Sequence, residues 1–188
     1  MVTSERTVGY EVHTIESAPP GGGEALAGLQ AAVGAIPNLA ATMAESPELL
    51  KGFLALRQLY AATAFTPAEI QALSLVAAYE NDCAWCVAFH TAMGLKEGLD
   101  RPTVDALRSG KAPADHRLGV LTEFARSMVR TRGKVGAAAL ERFVAAGFTK
   151  RQALDVVLGM GFSMLANYAS HLTQPPLDEF LRPHAWGR

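Results

Sequence analysis

Both cysteines of the chain and one of its five histidines fall in the stretch Cys83-Ala84-Trp85-Cys86-Val87-Ala88-Phe89-His90. Two thiols at this spacing can close an intramolecular disulfide, and an imidazole one helical turn further on can exchange a proton with a sulfur. The competing readings are a pair of small buried helical residues and part of a zinc site, for which Glu80 or His171 would have to supply the fourth ligand. At about 100° per residue, positions 83, 86 and 90 of a helix lie at about 0°, 300° and 340°, so all three side chains share one face. Unpaired N–H groups at a helix start favour thiolate over thiol, which argues for Cys83 as the thiolate. Proton transfer argues for Cys86, one turn before His90, whereas Cys83 lies about two turns away. Cys86 is taken as the attacking sulfur because a peroxide also needs a proton delivered to its leaving oxygen.

The elements that must hold these residues are set by composition. A chain of 188 residues that is 49% apolar, with a formal charge of −1, has the profile of one globular domain with its own core. So small a net charge leaves no electrostatic footprint for nucleic acid, and the one basic cluster, Arg182, His184 and Arg188, is a short tail. The N-terminal residues lack the charged-then-apolar order of a signal peptide, and no apolar run reaches the roughly 18 residues of a membrane span. A cytoplasmic protein with no membrane partner is expected. In a reducing compartment, two close cysteines are chemical before they are structural.

The pattern predicts an all-α fold. Pro19-Pro20-Gly21-Gly22-Gly23 reads as a linker, with residues 1–23 an N-terminal arm, 24–178 a helical domain and 179–188 a C-terminal tail. Residues 8–15 alternate enough to be extended; a strand there would need another chain to pair with, as in an arm-exchanged oligomer. A helical stretch from Gly23 ends near Pro37-Asn38. Ser46-Pro47-Glu48 opens a helix, and Thr66-Pro67-Ala68-Glu69 opens another through a capping box. The second helix should stop near Asn81, and Asp82 should cap a new one running from Cys83 to Met93 with Gly94 as its stop. Four more helices are expected over residues 101–109, 115–130, 136–146 and 149–172. Trp85 points to a different face from the cysteines and is expected in the core or an interface, and His171 is expected to be a hydrogen-bonded structural histidine.

An internal echo runs through this helical pattern. Gln71-Ala72-Leu73 returns as Gln152-Ala153-Leu154, and Cys86-x-x-x-His90 returns as Asn167-x-x-x-His171, both 81 residues later. Two related helical hairpins would result, with Met164 and Asn167 in place of the sulfurs.

The run FTPAEIQALSLVAAYENDCAWCVAFHTAMG resembles the core of the carboxymuconolactone decarboxylase and alkylhydroperoxidase D-like (AhpD-like) family, in which a helical hairpin ends in Cys-x-x-Cys-x-x-x-His. IPNLAATMAESPELLKGFLAL and AAGFTKRQALDVVLGMGFSMLANYASHL resemble the segments that flank it, so the likeness spans roughly residues 30–178. It implies an all-α, AhpD-like bundle that assembles into homo-oligomers and acts as a thiol peroxidase. Cys86 would attack a small-molecule hydroperoxide and become a sulfenic acid, Cys83 would resolve it as a disulfide, and His90 would relay protons. No cofactor is implied beyond an external dithiol reductant.

One position departs from that pattern. The peroxidase members carry a glutamate twelve residues before the first cysteine, and here that place holds Gln71. An amide can orient His90 but cannot titrate, so either the relay is weakened or Glu80 or Glu69 substitutes. The family's peroxidases also often place a histidine between the cysteines, where this chain has Ala84-Trp85. Two other activities fit less well. Lactone decarboxylation, the family's other branch, needs cations to hold carboxylates, and the sequence shows no arginine or histidine cluster near the motif beyond His90. A non-catalytic, redox-sensing helical oligomer would need only the dithiol.

Overall fold

The computed structural model describes residues 9–187; part of the expected extended segment, at Val8, and Arg188 of the basic cluster lie outside them. Among the described residues there are nine α-helices, one 3-10 turn and no strand. The helices are α1 (Gly22–Val33), α2 (Asn38–Met43), α3 (Pro47–Ala61), α4 (Pro67–Glu80), α5 (Ala84–Lys96), α6 (Arg101–Leu107), α7 (His116–Arg130), α8 (Ala137–Ala145) and α9 (Lys150–Thr173), followed by the 3-10 turn Glu179–His184.

The central element is α4, in which residues 72–78 are all buried. A helix apolar on every side can only be satisfied by neighbours all round, and α3, α5, α6, α7 and α9 surround it. Its start is the predicted capping box: Thr66 accepts from the Glu69 N–H, and the Glu69 carboxylate accepts from the Thr66 N–H. The same device opens α9 with Thr149 and Gln152.

Four expectations change in the folded chain. Cys83, not Asp82, caps α5, because Asp82 takes a left-handed backbone (φ 57°) that turns the chain out of α4. Gly94 does not stop the helix: it is buried inside α5, where an added Cβ would lie 3.1 Å from Leu99 Cδ1, so glycine there serves close packing. The glycine linker is likewise a packing site. A Cβ on Gly23 would collide with the carbonyl of Ile15, and one on Gly22 with that of Ala44. The arm therefore lies against its own chain, with buried His13 bonded through Nε2 to Glu45 Oε2 at 2.7 Å, and residues 9–14 form no strand. Finally, the second hairpin does not form: residues 150–173 are one uninterrupted helix.

The chain ends by returning to the site. Leu181 is fully buried, and the 3-10 turn packs on α5. Just before it, Asp178 accepts from the Asn38 N–H and from Trp85 Nε1, both at 3.0 Å, joining the start of α2 to α5. No described helix is long and apolar enough to cross a membrane.

Candidate active site

Cys83 stands at the N-cap of α5 and Cys86 three residues inside it, so the turn at Asp82 sets both sulfurs at a helix N-terminus. Their Cα atoms are 5.3 Å apart and the sulfurs are joined as a disulfide. Cys83 Sγ also accepts from the Cys86 N–H at 3.3 Å.

His90 follows one turn after Cys86. Its Nδ1 donates to Gln71 Oε1 at 2.9 Å, which leaves Nε2 as the basic nitrogen. Burial pushes the imidazole down to about 4, so it is neutral near pH 7 and a weak base. A carboxylate in place of Gln71 would favour the imidazolium; the amide orients the ring without doing so.

Both cysteines are 1% exposed, but they stand differently toward the neighbouring cavity. Cys86, His90 and Gln71 line a cavity of about 450 Å³ that opens to solvent, and Cys83 is not among the lining residues. The walls are mostly apolar, built by Phe53 and Leu54 of α3, Leu39 of α2, Phe162 of α9 and Phe180 of the 3-10 turn. Trp85 lines the cavity too, stacked on Phe89 with ring centroids 5.2 Å apart. It is buried, as expected, yet it belongs to the site wall, because the Asp178 bond turns its indole toward the end of the chain.

Other candidates lie elsewhere. Glu80 does not join the cysteines: its carboxylate is held by Arg130 in a two-pronged contact at 2.7 and 3.1 Å, with buried Arg126 Nε 3.1 Å away. A carboxylate so engaged across to α7 ties α4 to α7 and is unsuited to serve His90. Glu69 is occupied by its capping box and by Arg117. His171 donates through Nε2 to the Asn81 carbonyl at 2.8 Å, a structural bond at the α4–α5 turn. Among the described residues, no group of three or more His, Cys, Asp or Glu is gathered so as to hold a metal ion. Arg57 and Lys96, absent from the sequence reading, which looked for an arginine or histidine cluster near the motif, also line the cavity. Lys96 had a sequence signal, since 86, 89, 93 and 96 repeat at helical spacing; Arg57 and Asp178 had none.

Residues 47–116 match the carboxymuconolactone decarboxylase family, and this span holds Gln71, both cysteines and His90. The match runs from the first residue of α3 to the first of α7. The fold is AhpD-like. The AhpD-core structure of an uncharacterized peroxidase-related protein from Ralstonia eutropha JMP134 superposes with a TM-score of 0.80 at 21% identity, covering 92% of this chain and 93% of that one. An uncharacterized peroxidase-related protein from Silicibacter sp. TM1040 gives 0.77 at 22% identity, covering 94% and 97%. The debrominase Bmp8, in complex with 2,3,4-tribromopyrrole, gives 0.77 at 14% identity, covering 96% and 97%. No curated protein matches the chain.

Proposed function

We propose that the protein is a thiol-dependent peroxidase that reduces organic hydroperoxides at the expense of an external dithiol. The observation that carries this reading is the asymmetry of the pair: Cys86 lines the cavity beside His90, while Cys83 does not line it and is within bonding reach of Cys86. His90 Nε2 takes the Cys86 proton, and the thiolate attacks the outer peroxide oxygen. The O–O bond breaks, Cys86 becomes a sulfenic acid, and the leaving alkoxide regains the proton as an alcohol. Cys83 then attacks the Cys86 sulfur, releasing water and forming the disulfide, and a dithiol reductant returns both cysteines to thiols. In sum, one hydroperoxide and one dithiol give one alcohol, one water and one disulfide.

The reading is tested by a coupled peroxidase assay on Cys86→Ser. Loss of peroxide consumption with an unchanged melting temperature is expected, and full activity in that variant would sink the proposal. A second reading, decarboxylation of a γ-carboxylactone, draws support from Arg57 and Lys96 on the cavity. Alkylation of both reduced cysteines discriminates between the two, since it would abolish peroxide turnover and spare a decarboxylase.

The proposal includes self-association. Leu154, Val157, Tyr168 and Leu172 of α9 are all more than half exposed and fall within about 60° of one another around the helix axis. So long an apolar stripe suits a second copy of the chain. Sedimentation of a Leu154→Glu/Leu172→Glu variant should show a smaller species than the parent.

A further inference from the structure

We propose that the hydroperoxides taken by this site are amphipathic, with an apolar body and a carboxylate or similar anion at the end remote from the peroxide; the inference rests on the peroxidase reading and narrows it. It comes from the layout of one helix face. Cys86, Phe89, His90, Met93 and Lys96 of α5 and Glu97, its C-cap, all line the cavity. At about 100° per residue they form one stripe, and at about 1.5 Å rise per residue Lys96 stands about 15 Å along the axis from Cys86. A ligand lying along this stripe meets the sulfur at one end and an ammonium at the other.

A second element reinforces that polarity. Arg57 of α3 lines the same cavity, and among the described residues neither Arg57 nor Lys96 is engaged in an ion pair. Both are exposed, so their charges are solvated at the mouth, not buried in the wall. Glu97 shares the mouth and offsets one of them, which leaves a net positive rim over an apolar interior. A cavity of about 450 Å³ lies in the range of about 300–1,000 Å³ in which pockets enclose most of a small ligand. Its interior excludes a charged head, and its mouth attracts a negative one. The anion takes no part in the reaction; it fixes which end of the molecule enters first, so that the peroxide oxygen reaches Cys86.

Binding without turnover tests this independently of the peroxidase reading. Decanoate, decanol and decylamine are titrated against the oxidised protein by calorimetry, with Trp85 fluorescence as a local readout; Trp186, the other tryptophan, packs on Tyr79. Decanoate should bind and perturb the fluorescence, with decylamine weaker. Arg57→Gln/Lys96→Gln should weaken decanoate about fivefold, the scale of solvated ion pairs, and leave decanol within about twofold. Equal affinities for the three probes, no binding of decanoate, or an unchanged decanoate affinity in the double variant would each overturn the inference. With a medium-chain hydroperoxy acid as substrate, the same variant should raise KM and spare kcat, while cumene hydroperoxide is unaffected. If decanoate binds as expected but no hydroperoxide is consumed, the peroxidase reading fails and the ligand class stands.

Discussion

The α4–α5 hairpin and the helix α9 start alike and end differently. Each opens with a threonine capping box, Thr66–Glu69 in one and Thr149–Gln152 in the other, and each carries a histidine four residues after a small polar or sulfur residue. The first is broken at Asp82, where φ turns positive, and the break creates a fresh helix N-terminus beneath Cys83 and Cys86. The second continues unbroken, so Asn167 lies inside the helix and His171 in its last turn, far from the free N–H groups of a helix start. Instead they brace the break in the first: Asn81 Nδ2 donates to Asn167 Oδ1 at 2.8 Å, and His171 donates to the Asn81 carbonyl. The caps are offset by 83 residues and the Cys86–Asn167 pair by 81, which shows that the echo does not keep one register. Chemistry follows from the break rather than from the residues alone.

The contrast is sharpest at the sulfurs. Cys83→Ser should remove sustained turnover by at least about a hundredfold while leaving one equivalent of peroxide consumed per chain, because Cys86 can still be oxidised but not resolved. Serine is a good N-cap, so the α5 start survives. Single-turnover kinetics with a sulfenic-acid probe measures this, and multiple turnover in the variant would break the assignment of Cys83.

Next in size is the effect of pH on stability. His90 is held at about 4 in the folded protein against 6.5 when unperturbed. Between these values the unfolded chain binds the extra proton, so stability falls as pH drops from about 6.5 toward 4 and is insensitive to this group above that window. The loss by pH 4.5 is on the order of 2–3 kcal/mol. Urea unfolding at pH 7.5 and 4.5 of the parent and of His90→Gln isolates it, and an equal pH dependence in both would contradict the buried neutral imidazole.

Gln71→Glu tests the orienting amide. A carboxylate beside Nδ1 would raise the histidine pKa, strengthen Nε2 as a base and speed thiol oxidation by up to about tenfold. A new limb should appear in the pH–rate profile, and stopped-flow peroxide reduction between pH 5 and 8 reads both effects.

The smallest change belongs to the brace. Asn167→Ala should cost about 1 kcal/mol by removing the acceptor of Asn81, with the rate per folded molecule unchanged. A large loss of rate would mean that the brace positions the cysteines more tightly than one hydrogen bond implies.

Local chemistry made much of this protein legible from its residues. Capping boxes, prolines at first helical positions and period-3.6 apolar spacing announce helices because each acts within a turn or two of the chain. The likeness that pointed to an AhpD-like fold rests on a similarly compact run. Cys86 and His90 share the cavity face that helix spacing gives them, but Cys83, at the N-cap, does not line it; Gln71 was found because the resembled peroxidases carry a glutamate at that place, and it meets His90 across the hairpin. What required the folded chain was every relation between segments remote in sequence. Glu80 looked available until α7 brought Arg126 and Arg130 to it. The glycine-rich stretch looked like a spacer until Ile15 and Ala44 closed on it. Which sulfur faces the cavity, and the cations at its mouth, depend on α2, α3, α9 and the chain end converging on α5. Periodicity records which side of a helix is apolar but not which neighbour covers it, so the tertiary structure alone decided that Cys86 lines the cavity and Cys83 does not.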